Sequence, residues 1–268
     1  MNDALARGAV VAFVGSEATG KSTLLARTGE RLADQVTVLT VHVGKPPGTA
    51  LTALPNLLLP LLRSLAPAQR STHVDARRVE HGDEGPSLPP LLFSVRAVLL
   101  AHDRRRLLRR AHAAAARGTV VLCDRYPSSV TGAPDSPQLA RWRGATGGHP
   151  LRSWLVRTET RMYDDIEAAD VVFHLWAPLE VTLQRNRDRD KTEPEDLVAL
   201  RHRQAESLRF DRSPVVRLDT RRTPEESLQD IHDAVCDVLA TRVGPGPAGG
   251  VTARVSSNRR SEVTESPE

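Results

Sequence analysis

Aromatic side chains are scarce, 3% of 268 residues. Proteins that hold single-stranded nucleic acid stack its bases on aromatic platforms, so this scarcity argues against such a binder. The chain has two cysteines, Cys123 and Cys236, and no CxxC spacing. That excludes a disulfide framework and points to a reduced, cytoplasmic setting. The nine histidines show no metal-ligand spacing, so no zinc site is expected. No apolar run approaches the ~20 residues of a membrane span. Residues 1–7 lack the apolar stretch of a signal peptide, so no membrane association is expected. Lysine is rare as well. Lys21, Lys45 and Lys191 are the three lysines among 37 basic residues, and arginine supplies the rest. The net charge of +4 is a mild excess that suits anionic ligands.

With 40% hydrophobic residues, the chain can bury one large core. Short Val/Leu-rich runs at 9–14, 36–43, 119–123, 171–175 and 215–218 read as strands covered on both faces. Amphipathic helical patterns separate them at 21–32, 91–117 and 151–168. The phase of the last predicts that Leu151, Trp154, Leu155, Met162 and Ile166 share a buried face, with Trp154 in the core. Thr223-Pro224-Glu225-Glu226 starts a further helix: Thr as N-cap, Pro at N1 and Glu closing a capping box. Strands alternating with helices predict a three-layer α/β fold over residues 1–242. Residues 64–90 read as a loop or insertion, and 127–150 as irregular. Residues 243–268 carry too little apolar surface to order themselves.

Gly15-Ser16-Glu17-Ala18-Thr19-Gly20-Lys21-Ser22 fits G-x-x-x-x-G-K-[ST], with a strand before it and a helix after. Such a loop turns successive backbone N–H groups into one concavity, and the helix adds its positive end. Residues 15–23, Thr23 included, are therefore the expected nucleotide-phosphate cradle. Lys21 would reach the β- and γ-phosphates, and the Ser22 hydroxyl would ligate Mg²⁺. Neither N-K-x-D nor LSGGQ occurs, which argues against a Ras-like GTPase and an ABC ATPase. Asp124-Arg125 follows the third strand, where a carboxylate can order the water shell of Mg²⁺ and an arginine can clamp phosphate. Arg185, Arg187 and Arg189 alternate with polar residues over 185–193. Beside a P-loop, this reads as a lid closing over a transferring phosphoryl group.

In order and spacing, GSEATGKST, DRYPSS and RNRDRDK resemble the thymidylate kinase-like branch of the P-loop nucleoside monophosphate kinases. The resemblance spans about residues 8–242. It implies a parallel sheet of five strands in the order 2-3-1-4-5, with helices on both faces. It implies ATP–Mg²⁺ as donor, a small phosphate-bearing acceptor such as thymidylate, and a homodimer. Lys21, Ser22, Asp124, Arg125, Arg185, Arg187 and Arg189 match the family's donor-side and lid residues. Glu17 matches a carboxylate that contacts the acceptor sugar. Lys45, in the GKPPGT stretch, stands where the family has an arginine near the acceptor phosphate. Phe93 is the candidate base-stacking ring, and Arg104 the candidate phosphate-binding arginine. The departures from the family gather on the acceptor side: Lys45 for arginine, VTGAP for AYQG after Ser129, and half of an LLFxxxR motif.

The expected chemistry is transfer of the ATP γ-phosphoryl group to a small acceptor. Alternatives are a kinase for a sugar or other metabolite hydroxyl, with Asp124 or Glu17 as base, and an ATP-binding switch with little turnover. Nucleic-acid binding through the arginine-rich 104–117 helix ranks below both. Trp142, Trp154, Trp176 and Tyr163 are the aromatic candidates for lining an acceptor pocket.

Overall fold

A computed structural model describes residues 8–48, 88–89, 91–146, 148–188 and 193–242. Most of the 64–90 insertion, the lid residues Arg189 and Lys191, and the 243–268 tail lie outside the described residues.

The strands are β1 (Val10–Gly15), β2 (Val38–His42), β3 (Val120–Asp124), β4 (Val171–Trp176) and β5 (Val215–Asp219). The helices are α1 (Lys21–Ala33), α2 (Leu91–Ala115), α3 (Pro150–Asp164), α4 (Leu179–Arg187), α5 (Glu195–Glu206) and α6 (Pro224–Arg242). A short 3₁₀ turn at Leu139–Trp142 precedes α3. All strand pairs are parallel, in the order β2-β3-β1-β4-β5. This is the expected order of a P-loop NTPase-like fold.

Alternation along β1 sorts the two cores. Val10, Ala12 and Val14 pack with Val121, Cys123 and Val172 under Ala101, Leu108, Ala111 and Ala115 of α2. Val11 and Phe13 face the other way, with Leu122 and Phe173, against Leu24 and Leu32 of α1 and Ile231 and Val235 of α6. The inner strands β1, β3 and β4 thus bury both faces, which is why they read as unbroken apolar runs. The expectation of two covered faces is corrected for β2 and β5: they are the edge strands, and Leu39 and Val215 stand exposed. The alanines of α2 let that helix lie close to the sheet. The rings of Phe13 and Phe173 meet at 5.5 Å, an arrangement that adds about 1 kcal/mol beyond burial. The capping box forms as expected: the Glu226 carboxylate accepts the Thr223 N–H at 3.0 Å, and the Glu226 N–H reaches the Thr223 hydroxyl at 3.3 Å.

The expectation for Trp154 is corrected. It is 53% exposed and Leu151 is 54% exposed. Helix α3 buries Leu155, Val156, Glu159 and Tyr163. At 100° per residue, Trp154 lies roughly 150° from the centre of that stripe. The polar Glu159 occupies a core position, so a search for apolar periodicity places the stripe in the wrong phase.

Candidate functional site

The P-loop leaves the carboxyl end of β1, beside the ends of β3 and β4. Gly15 takes φ 140°. A Cβ there would lie 2.3 Å from the Leu175 carbonyl oxygen, so only glycine lets the loop pass this close to β4. Ala18 stands in the left-handed region at φ 59°. The Ser16 carbonyl accepts the Thr19 hydroxyl at 2.8 Å and the Lys21 ammonium at 2.5 Å. These bonds curl the loop around a buried Lys21, while Gly20, Ser22 and Thr23 face solvent at the start of α1.

Asp124 pairs in register with Phe13 of β1 and His42 of β2. The sheet therefore sets it next to the P-loop, as the strand-end position suggests. Its carboxylate lies 2.9 Å from His42 Nδ1, a neighbour the sequence reading missed. Arg125 follows at φ 73°. Its side chain packs over Gly44, where a Cβ would fall 2.4 Å from Arg125 Cδ. The exposed Lys45 is the next residue along that loop.

The lid arginines diverge. Arg185 lies back on the P-loop, donating to the Ala18 carbonyl at 3.4 Å and the Thr220 carbonyl at 2.6 Å. Arg187 pairs with Glu195 on the surface at 2.7 Å. Arg189 lies outside the described residues. The two ends of the lid segment are tied by buried Asn186, which donates to the Glu193 carbonyl at 2.8 Å and accepts its N–H at 3.3 Å. Arg201 of α5 is a further residue the sequence did not reveal. It bridges Glu17 and Glu193, at 2.5 Å to each. Burial pushes the Glu17 carboxyl up. Hydrogen bonding with Glu193 and Arg201, and the charges of Arg201 and Arg125, outweigh that and hold it below its usual range.

Arg104, expected at the acceptor phosphate, is buried on α2. Its guanidinium donates to the Val43 carbonyl at 3.2 Å, the Gly44 carbonyl at 3.4 Å, the Tyr163 hydroxyl at 2.9 Å and Asp135 Oδ1 at 2.5 Å. The other Asp135 oxygen lies 3.5 Å from Arg125 Nη1. Asp135 therefore joins the two arginines expected at the acceptor phosphate. No local motif marked it. The Phe93 ring meets Trp142 edge-on at 6.1 Å, within a small cluster between α2 and α3.

A cavity of about 410 Å³ lies beneath the 127–143 segment, lined by Tyr126, Ser128, Thr131, Tyr163 and Phe210 among others. No P-loop residue borders it. Tyr163 is the one aromatic acceptor-pocket candidate that lines it. Trp176 instead lies under Arg217 and Arg221, and Trp142 lies under Arg141. Among the described residues, no helix is long and apolar enough to cross a membrane, and no group of three or more His, Cys, Asp or Glu is placed to hold a metal ion.

Compared with known protein families, the chain matches no family model. It is 27% identical over 228 residues to a curated protein named uncharacterized ATP-binding protein YghS, from Escherichia coli (strain K12). The alignment spans 82% of this chain and 89% of that protein.

Proposed function

We propose that this protein is an ATP-dependent phosphotransferase that moves the γ-phosphoryl group of ATP to a small acceptor. The observation that carries this reading is the convergence at the carboxyl ends of β1 and β3. There the curled P-loop around Lys21, Asp124 beside Phe13, and Arg185 lying on the loop backbone meet at the carboxyl end of the sheet. The name of the Escherichia coli relative supports ATP as the nucleotide.

The residues present suit a donor carried with Mg²⁺. This ion takes hard oxygen ligands, often one or two from protein with the rest from phosphate and water. The exposed Ser22 hydroxyl and the Asp124 carboxylate are such donors. Held by these two residues, Mg²⁺ would supply charge neutralisation at the donor phosphates. Lys21 leaves the Ser16 carbonyl to bind the phosphates, so its buried charge is already positioned. Arg125 and the lid arginines neutralise charge that spreads over the equatorial oxygens during transfer. Positioning and electrostatics supply most of the rate in this chemistry.

The family resemblance suggests a nucleoside monophosphate, such as thymidylate, as acceptor. One observation favours the second reading, a hydroxyl acceptor: Asp135 already spans Arg104 and Arg125. In that case the acceptor oxygen bonds to the γ-phosphorus as the bond to the bridging oxygen breaks and ADP leaves. The hydroxyl proton passes to a carboxylate, for which Glu17 and Asp124 are the candidates.

The test is ADP release from ATP–Mg²⁺ over a panel of nucleosides, nucleotides and sugars, with Lys21→Ala as control. The variant should keep its circular dichroism and lose turnover on the order of 10³-fold. Full turnover by a folded Lys21→Ala protein would reject the site.

A further inference from the structure

We propose that Asp135 determines the acceptor class: its carboxylate fills the anion seat formed by Arg104 and Arg125, so the site takes an acceptor presenting an uncharged hydroxyl and turns away one presenting a phosphate. This rests on the phosphotransferase reading and adds the chemistry of the second substrate.

Three features support a permanent occupant over a side chain that swings aside. The first is saturation. A guanidinium has five N–H donors, and four contacts from Arg104 go to protein oxygens: Val43, Gly44, Tyr163 and Asp135. Arg104 is 7% exposed, and the Asp135 side chain is 12% exposed. A phosphate entering here has to displace a buried, charge-assisted contact. The second is charge. Two arginines alone present +2 to an acceptor; with Asp135 the net falls to +1, the buried Arg104 being paired at 2.5 Å and the more exposed Arg125 standing at 3.5 Å. The third is the loop. Asp135 sits at φ 63°, a left-handed turn position that aspartate adopts more readily than most residues, and the loop around it is fixed by its own hydrogen bonds.

Those surroundings are closely knit. Gly132 N–H donates to the Pro137 carbonyl at 2.7 Å. The Gln138 amide donates to the Ala133 and Ser136 carbonyls at 2.7 and 2.9 Å. The buried Ser136 hydroxyl accepts the Ser128 N–H at 3.0 Å. Glu159 takes the N–H groups of Gln138 and Leu139 at 2.9 and 2.7 Å. The loop thus holds one carboxylate at one place, between two cations that come from α2 and from the end of β3.

The experiment titrates the full chain with thymidine monophosphate and with inorganic phosphate by calorimetry, and measures ATP–Mg²⁺ binding separately. Three proteins are compared: wild type, Asp135→Asn and Asp135→Gly. Asparagine and glycine both accept the left-handed backbone, so the pair guards against one variant failing to fold. Wild type should bind both anions poorly. The variants should bind them roughly 10–100-fold tighter, the worth of a charge-assisted contact. ATP binding should be unchanged. Thymidine and sugars, not thymidine monophosphate, should then support ADP release by wild type. Wild type that binds or phosphorylates thymidine monophosphate as well as the variants do would overturn the proposal. A chain that gains anion affinity in the variants yet never binds ATP would support the Asp135 assignment while sinking the phosphotransferase reading.

Discussion

Glu159 holds the 132–139 loop, and removing it should be felt in stability before chemistry. It is 1% exposed on α3. Its two oxygens each accept one backbone N–H, from Gln138 and Leu139. Burial pushes its carboxyl above the usual value despite those two bonds, a sign of how little water reaches it. In Glu159→Ala both N–H groups lose their acceptor. Each unsatisfied buried donor costs about 1–3 kcal/mol, and the deleted methylene adds about 1 kcal/mol. Local relaxation and an entering water recover part of this, leaving about 3–5 kcal/mol. For a chain of this size, that lowers the melting temperature by roughly 6–20 °C. Glu159→Gln keeps one acceptor oxygen and sets an NH₂ against the other donor, so it should lose about 1–3 kcal/mol. Urea titration of the three proteins gives the stabilities. Hydrogen exchange at 132–139 should rise in both variants in the same order. An alanine variant within about 0.5 kcal/mol of wild type, with exchange unchanged, would refute the reasoning that this carboxylate anchors the loop.

Two further substitutions probe the site from other directions. In Gly44→Ala, the new Cβ meets Arg125 Cδ at 2.4 Å. The side chain must leave Asp135, so turnover should fall about 10–100-fold while the melting temperature changes little; unchanged turnover would show that the place of Arg125 is unimportant. Glu17→Gln tests the bridge through Arg201. Because the folded Glu17 carboxyl is held below its ordinary 4.5, its ion pair stabilises the fold above that pH and is lost as pH falls through the lowered value. The stability gap between wild type and Glu17→Gln should therefore be widest at neutral pH and close on acidification. A gap of constant size down to about pH 3 would contradict the assignment.

Much of the fold around the proposed donor site was legible in the chain because its parts are local. The P-loop places turn glycines, a lysine and a hydroxyl within eight consecutive residues, between a strand and a helix. The strand-end Asp124 needs only β3 to pair beside β1. The five apolar runs and the Thr223 capping box likewise depend on neighbours a few residues apart. Trp154 shows where such reading stops: periodicity counted apolar side chains, and the true buried stripe of α3 runs through Glu159, a polar residue satisfied by partners 20 and 21 positions away.

The partners of Arg104, Arg125 and Glu17 were decided by tertiary contact alone. Asp135 meets Arg104 across 31 residues and Arg125 across 10, and Arg201 meets Glu17 across 184. A lone aspartate in a Pro/Gly-rich stretch carries no signal of its partner. It has one only after the sheet sets β2 beside β3 and α2 brings its buried arginine against the carboxyl ends of those strands. Composition and spacing determined that this chain makes a glycine-turned loop between a strand and a helix of a parallel sheet, because those instructions are written over short stretches. Which charges face one another beside that loop was left to packing, because an electrostatic pair depends on distance in space and burial from water, and neither is a property of position along the chain.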